Sequence, residues 1–85
     1  MQHENRAKSD NAYRGGWNDG ANDHMAILMK SPSRASQQTI WEFRQVKIDV
    51  FQVMADRRER NGLSSGVLAE YRRGWVDGFD SVATR

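Results

Sequence analysis

Three observations predict an all-α fold, a small three-helix bundle. Apolar residues recur at helical spacing in three separate segments, and no segment alternates convincingly as a strand would. The segments are divided by helix-ending residues: Pro32 in a serine-rich stretch (Ser31, Ser33, Ser36), and the pair Asn61-Gly62. Finally, the string Tyr-Arg-x-Gly-Trp-x-Asp-Gly occurs twice, once in the first segment and once in the third.

The first helix is expected over about 10–29, with Ser9 or Asp10 as its cap and residues 1–8 as a flexible tail. At about 100° per residue, Tyr13, Trp17, Gly20, Ala21, His24 and Leu28 share one narrow stripe. The second helix is expected over about 38–60, where Thr39 and Glu42 have the spacing of a capping box. Its apolar arc is broad: Ile40, Phe43, Val46, Val50, Phe51, Val53 and Met54. Such an arc predicts packing against two neighbours. The third helix is expected over about 65–82, with Ser64 as N-cap and Leu63 and Leu68 as a hydrophobic staple. Val67, Leu68, Tyr71, Trp75, Gly78, Phe79 and Val82 form its stripe. Short connections then predict an up-down-up arrangement in one domain, residues 1–85.

In the repeat, Tyr13-Arg14-Gly15-Gly16-Trp17-Asn18-Asp19-Gly20 matches Tyr71-Arg72-Arg73-Gly74-Trp75-Val76-Asp77-Gly78 at six of eight positions. Glycine inside a helix costs roughly 1 kcal/mol against alanine, so these glycines need a compensating role. Gly16 and Gly20 are neighbours on one helix surface, and Gly74 and Gly78 are neighbours on the other. Each pair forms a notch for a backbone or a flat ring, and the expected occupant is the tryptophan of the other copy, Trp17 or Trp75. Tyr13 and Tyr71 are expected to point inward with them; the alternative is that the Tyr/Trp pairs face outward as a recognition surface. Asp19 and Asp77 lie off the stripe and are expected to be solvated or paired with a base. Asp23, one turn beyond Asp19, makes a carboxylate pair of the sort that can hold magnesium, but mixed surface charge is the default reading.

Composition limits the function. With 38% hydrophobic and 28% charged residues the chain is globular, and no apolar run approaches the roughly 20 residues of a membrane span. Residues 1–10 are polar and mixed in charge, unlike a signal peptide or anchor. The absence of cysteine excludes disulfides and thiolate metal sites and suits a reducing cytoplasm. A net charge of +2 is too small for a nonspecific DNA coater. No catalytic residue, cofactor or metal site is expected. His3 lies in the tail, and His24 on the apolar stripe reads as a packing residue.

Two surfaces are candidates for partner binding. Trp41, Ile48 and Ala55 form a line roughly 140° from the predicted core direction of the second helix. Met25 and Met29 leave the stripe of the first helix, and Val76 that of the third. Tryptophan and methionine are favoured interface residues, although cover by the 30–36 connection would remove this one. The second surface is basic. Arg57, Arg58 and Arg60 end the second helix, where cations suit its dipole, and Arg72 and Arg73 approach from an antiparallel third helix. Glu59 and Glu70 dilute the cluster.

The run Gly16-Trp17-Asn18-Asp19-Gly20, with Gly74-Trp75 later, resembles the ribosome modulation factor family over about a quarter of the chain. That resemblance implies a small, basic, helical protein that binds ribosomal RNA and protein to silence translation. The family's polar-Pro-Tyr motif is replaced here by Ser31-Pro32-Ser33, and the long second helix is additional. In size and lack of catalytic residues the chain also resembles short phage and prophage accessory proteins that disable host or defence complexes. The leading expectation is therefore a non-enzymatic binder that inhibits or modulates a larger protein or ribonucleoprotein machine. A ribosome-associated, RNA-binding modulator is the alternative, and a structural homo-oligomer is the third reading.

Overall fold

The structure, a computed structural model, describes the backbone of residues 2–30 and 37–83 and the side chains of 10–30 and 37–82. Three helices account for it: α1 Gln2–Lys30, α2 Gln37–Arg60 and α3 Gly66–Ala83. The all-α prediction holds, with differences at the helix starts. α1 begins at Gln2, so the tail expected over 1–8 is helical from its second residue, and Ser9 and Asp10 lie inside the helix. No proline or glycine between Gln2 and Asp10 stops the helix from extending backward. α2 begins before Thr39, and Glu42 accepts from Gln38 Nε2 at 2.9 Å instead of closing a capping box. The break expected at Pro32 lies outside the described residues.

The turn after α2 forms as the sequence predicts. Gly62 takes the left-handed conformation at φ 76°. Its N–H donates to Glu59 O at 3.0 Å, and the N–H of Leu63 reaches back to Arg58 O at 2.9 Å. These are the paired bonds of a Schellman cap, which needs a residue without a Cβ at that position. Arg58 Nε also donates to Ser64 O at 2.9 Å, fastening the turn to the helix it ends. α3 then starts with the Ser64 hydroxyl accepting from Gly66 N at 3.2 Å, and Ser65 O accepting the first helical bond from Ala69.

α1 and α3 form the tight pair, while α2 lies against α3 and scarcely touches α1. The backbone contacts give the direction of the pair. Gly16 faces Tyr71 and Trp75, while Gly20, one turn on, faces Trp75 and Phe79. The two helices therefore run parallel, as an up-down-up chain requires. Phe51, Trp75 and Phe79 are buried together, with Ile27, Ile40, Phe43, Tyr71 and Val76 packed around them. Trp75 stacks on Phe79 at 4.8 Å between centroids and meets Phe51 edge-on at 5.8 Å. Val76, expected to leave the stripe, thus borders the core.

α2 is rotated relative to expectation. Its inward side carries Ile40, Phe43, Phe51 and Ala55, together with Arg44, which makes two bonds to Asp80 of α3 at 2.9 and 3.0 Å. Val46, Val50, Val53 and Met54, assigned to the core from the sequence, are exposed. Among the described residues α3 is the principal neighbour of the helix, and the aromatic residues and the Arg44 pair decide which side it sees. On α3, Val67 is likewise exposed.

Candidate functional site

The duplicated segment makes a reciprocal helix-helix lock. A Cβ built on Gly16 would lie 2.1 Å from Tyr71 O, and one on Gly74 would lie 2.0 Å from Tyr13 O. Likewise Gly20 would meet Trp75 O at 2.0 Å and Gly78 would meet Trp17 O at 1.9 Å. Each glycine pair thus admits the opposing backbone, and the indole rings do not fill the notches. Carbonyls so close to glycine Cα atoms suit Cα–H···O contacts, as in closely crossing small-xxx-small helix pairs.

The polar members of the repeat are exchanged in the same way. Tyr13 donates its hydroxyl to Asp77 Oδ2 at 2.6 Å, and Tyr71 donates to Asp19 Oδ2. Asp19 and Asp77 are exposed, as expected, and each is held by the tyrosine of the opposite copy rather than by a basic residue. A phenol is long enough to reach across once the backbones touch. Asp23 accepts from Trp75 Nε1 at 2.9 Å, so both carboxylates considered for a cation already have a donor. Among the described residues no cluster of three or more metal-ligating groups occurs.

α2 breaks this internal symmetry. Trp75 is 1% exposed beneath it, whereas Trp17, Tyr13 and Tyr71 are half-buried rather than fully inward. His24 is buried as a packing residue: its ring stacks on Phe79 at 4.4 Å and Nδ1 donates to Phe79 O at 2.7 Å. The bond to a carbonyl places a proton on Nδ1.

Burial, followed by the hydrogen bond and charge of Asp19, pushes the Tyr71 phenol up to about 12. Tyr13 is also raised, first by its hydrogen bond to Asp77. The folded state therefore favours the neutral phenols. Their contribution to stability is complete below about pH 10, the unfolded value, and is lost as pH rises toward 12. Tyrosinate absorbance is expected to develop above pH 10 alongside loss of helix, and Tyr71→Phe should remove the latest part. Full titration near 10 in the folded protein would contradict this arrangement.

The candidate binding surface lies at the end of the bundle where α1 finishes and α2 begins. An open groove of about 530 Å³ is lined by Leu28, Ile40, Trp41 and Val82, with the core residues His24 and Phe79 also contributing. The Arg44–Asp80 pair forms part of its wall. Trp41 is 55% exposed. Met25 and Met29 are exposed on the last turns of α1, off its buried stripe as expected. Ile48 and Ala55 do not continue an outward line from Trp41. Ile48 is half-buried, and Ala55 lines a cleft with Leu68, Ala69 and Arg72 of α3. Leu28, expected in the core, is exposed and lines the groove, while Ile40 packs against the core as expected and lines the groove as well. Cover by residues 31–36 lies outside the described residues.

Three of the five arginines are engaged. Arg58 fastens the turn, Arg72 donates to Gln52, and Arg73 pairs with Glu70 at 2.8 Å while lying 4.7 Å from the Tyr13 ring centre. Arg60 shares a shallow hollow with Asp56 and Glu59. Arg57 stands on the opposite, valine-bearing side of α2.

In comparisons with known proteins, no family model, no curated protein and no solved structure matches this chain. Among the described residues no helix is long and apolar enough to cross a membrane.

Proposed function

We propose that this chain is a binding protein that acts without catalysis, taking an apolar segment of a larger protein partner into the Trp41 groove. The observation that carries this reading is the exposure of Trp41 beside a groove whose lining includes core side chains. A groove backed by Phe79 and the hydrogen-bonded His24 is already organised, so little ordering cost attends binding. Trp41 supplies a large, partly desolvated anchor, and Leu28 and Ile40 supply apolar walls. Arg44 and Asp80 satisfy each other, which leaves shape and apolar contact as the main selectors. By occupying such a segment the protein would inhibit or modulate the machine that carries it, in the manner of a phage-type accessory inhibitor.

Affinity capture with the full chain and with Trp41→Ala tests the reading. A defined protein complex is expected to be retained at high salt and after nuclease treatment, and to be reduced at least tenfold by Trp41→Ala, the scale of a hot-spot truncation. Helicity should not change, because Trp41 lies outside the buried cluster. Capture that survives Trp41→Ala, or that nuclease and salt abolish, overturns it; the latter result would point to RNA.

A further inference from the structure

Valine is a poor choice for an exposed helix surface, since its branched side chain loses rotamer freedom there. Yet Val46, Val50 and Val53 stand together on the outward side of α2, exposed by 61%, 46% and 53%. With Arg57 they follow steps of four, three and four residues, the spacing of a coiled-coil seam. They line a shallow apolar trough with Met54 and Asp49. Met54 also borders a second hollow with Val67, Leu68 and Tyr71, so apolar surface continues from α2 onto α3. No described part of the chain covers this face, because Phe51 and the Arg44–Asp80 pair turn the opposite side of α2 toward α3.

We infer that this face pairs with the same face of a second copy, α2 antiparallel to α2, to form a two-fold dimer. The charges choose both the occupant and the direction. Asp49 flanks the seam in its N-terminal half and Arg57 occupies it near the C-terminal end, and neither side chain pairs with a described residue. A parallel pairing would set Arg57 against Arg57 at the seam. An antiparallel one sets Val50 against Val53 and carries each Arg57 toward the Asp49 end of the other copy. The surface is thus self-complementary, as an interface on a two-fold axis must be. The trough lies well round α2 from Trp41, so dimerisation leaves the groove open and presents two grooves per assembly.

Sedimentation of the full chain over a concentration series is expected to show the mass rising from 9.8 kDa toward twice that value. Val50→Glu and Val53→Glu should each hold the protein at 9.8 kDa with unchanged helicity, since both sites are exposed. Asp49→Arg or Arg57→Asp alone should weaken the dimer by tenfold or more, and the two together should restore it. A chain that stays monomeric throughout overturns the inference, as does a dimer indifferent to Val50→Glu. Failure of the double charge reversal to restore pairing overturns the antiparallel arrangement. Trp41→Ala should leave the mass unchanged, which separates this result from the proposed partner binding.

Discussion

Gly15→Ala and Gly16→Ala, one residue apart, are expected to change stability in opposite directions. Nothing lies within 4 Å of a Cβ built on Gly15, so alanine there gains its helix propensity, about 1 kcal/mol, and raises the midpoint by roughly 4–8 °C. At Gly16 the same methyl would sit 2.1 Å from Tyr71 O and 2.9 Å from Trp75 N. Both obstacles are backbone, so no side chain can rotate away and the helices must separate. Overpacking typically costs about 1–3 kcal/mol, occasionally more. Separation here also loosens the three other glycine contacts and both Tyr–Asp bonds, which argues for the upper end. Net of propensity, a loss of about 2 kcal/mol and a midpoint roughly 8–16 °C lower are expected. Gly78→Ala should be at least as damaging, because three atoms of Trp17 lie within 2.7 Å of the added carbon. Combining Gly16→Ala with Gly20→Ala should cost less than the sum, since the first substitution already opens the gap the second needs. Thermal melts of these variants, with Gly20→Ala alone to supply the sum, decide the matter, and a raised midpoint for Gly16→Ala would falsify the lock.

The parts of the fold legible in the sequence are those where one residue type has few alternatives. Asn61-Gly62 after a run of arginines identified the end of α2, and the left-handed φ of Gly62 follows from that position. The Trp75, Gly78, Phe79 and Val82 stripe identified the buried side of α3, because those residues cluster tightly on a wheel. The glycine pairs announced a close approach, but spacing alone does not distinguish a backbone from a ring as the thing approaching. Nor did Asp19 and Asp77 declare their partners, since the Tyr–Asp bonds depend on how closely the backbones pass. On α2 the apolar arc was too broad to define a direction. Its inward side includes a small residue, Ala55, and a charged one, Arg44, which a hydrophobic count undervalues, whereas the valines that dominate that count face out. The candidate groove was half legible: Trp41 was found as an outlier, but Leu28 looked like core, and nothing in the spacing shows that Ile40 serves core and groove together.

Trp75→Ala is expected to unfold the chain at or below physiological temperature, while Trp17→Ala leaves it folded, although the two residues occupy equivalent places in the repeat. Trp75 is 1% exposed and meets Phe43 tilted, Phe51 edge-on and Phe79 stacked. Removing it costs about 3–5 kcal/mol for a buried aromatic, and it also leaves Asp23 without its donor. A core of this size rarely supplies more than about 3–5 kcal/mol in total, so little stability is left. Trp17 is only half-buried, and α2 does not cover it, so its loss is expected to cost about 1–2 kcal/mol of apolar burial. Trp75→Phe should fall between them: the ring stack survives in part, while the indole N–H and some volume are lost. The comparison measures how far α2 breaks the symmetry of the repeat. Equal losses at Trp17 and Trp75 would mean that some further part of the molecule covers the first helix as α2 covers the third. A loss confined to Trp75 means that α1 and α3 share one lock, and that α2 alone turns one of its two tryptophans into the core.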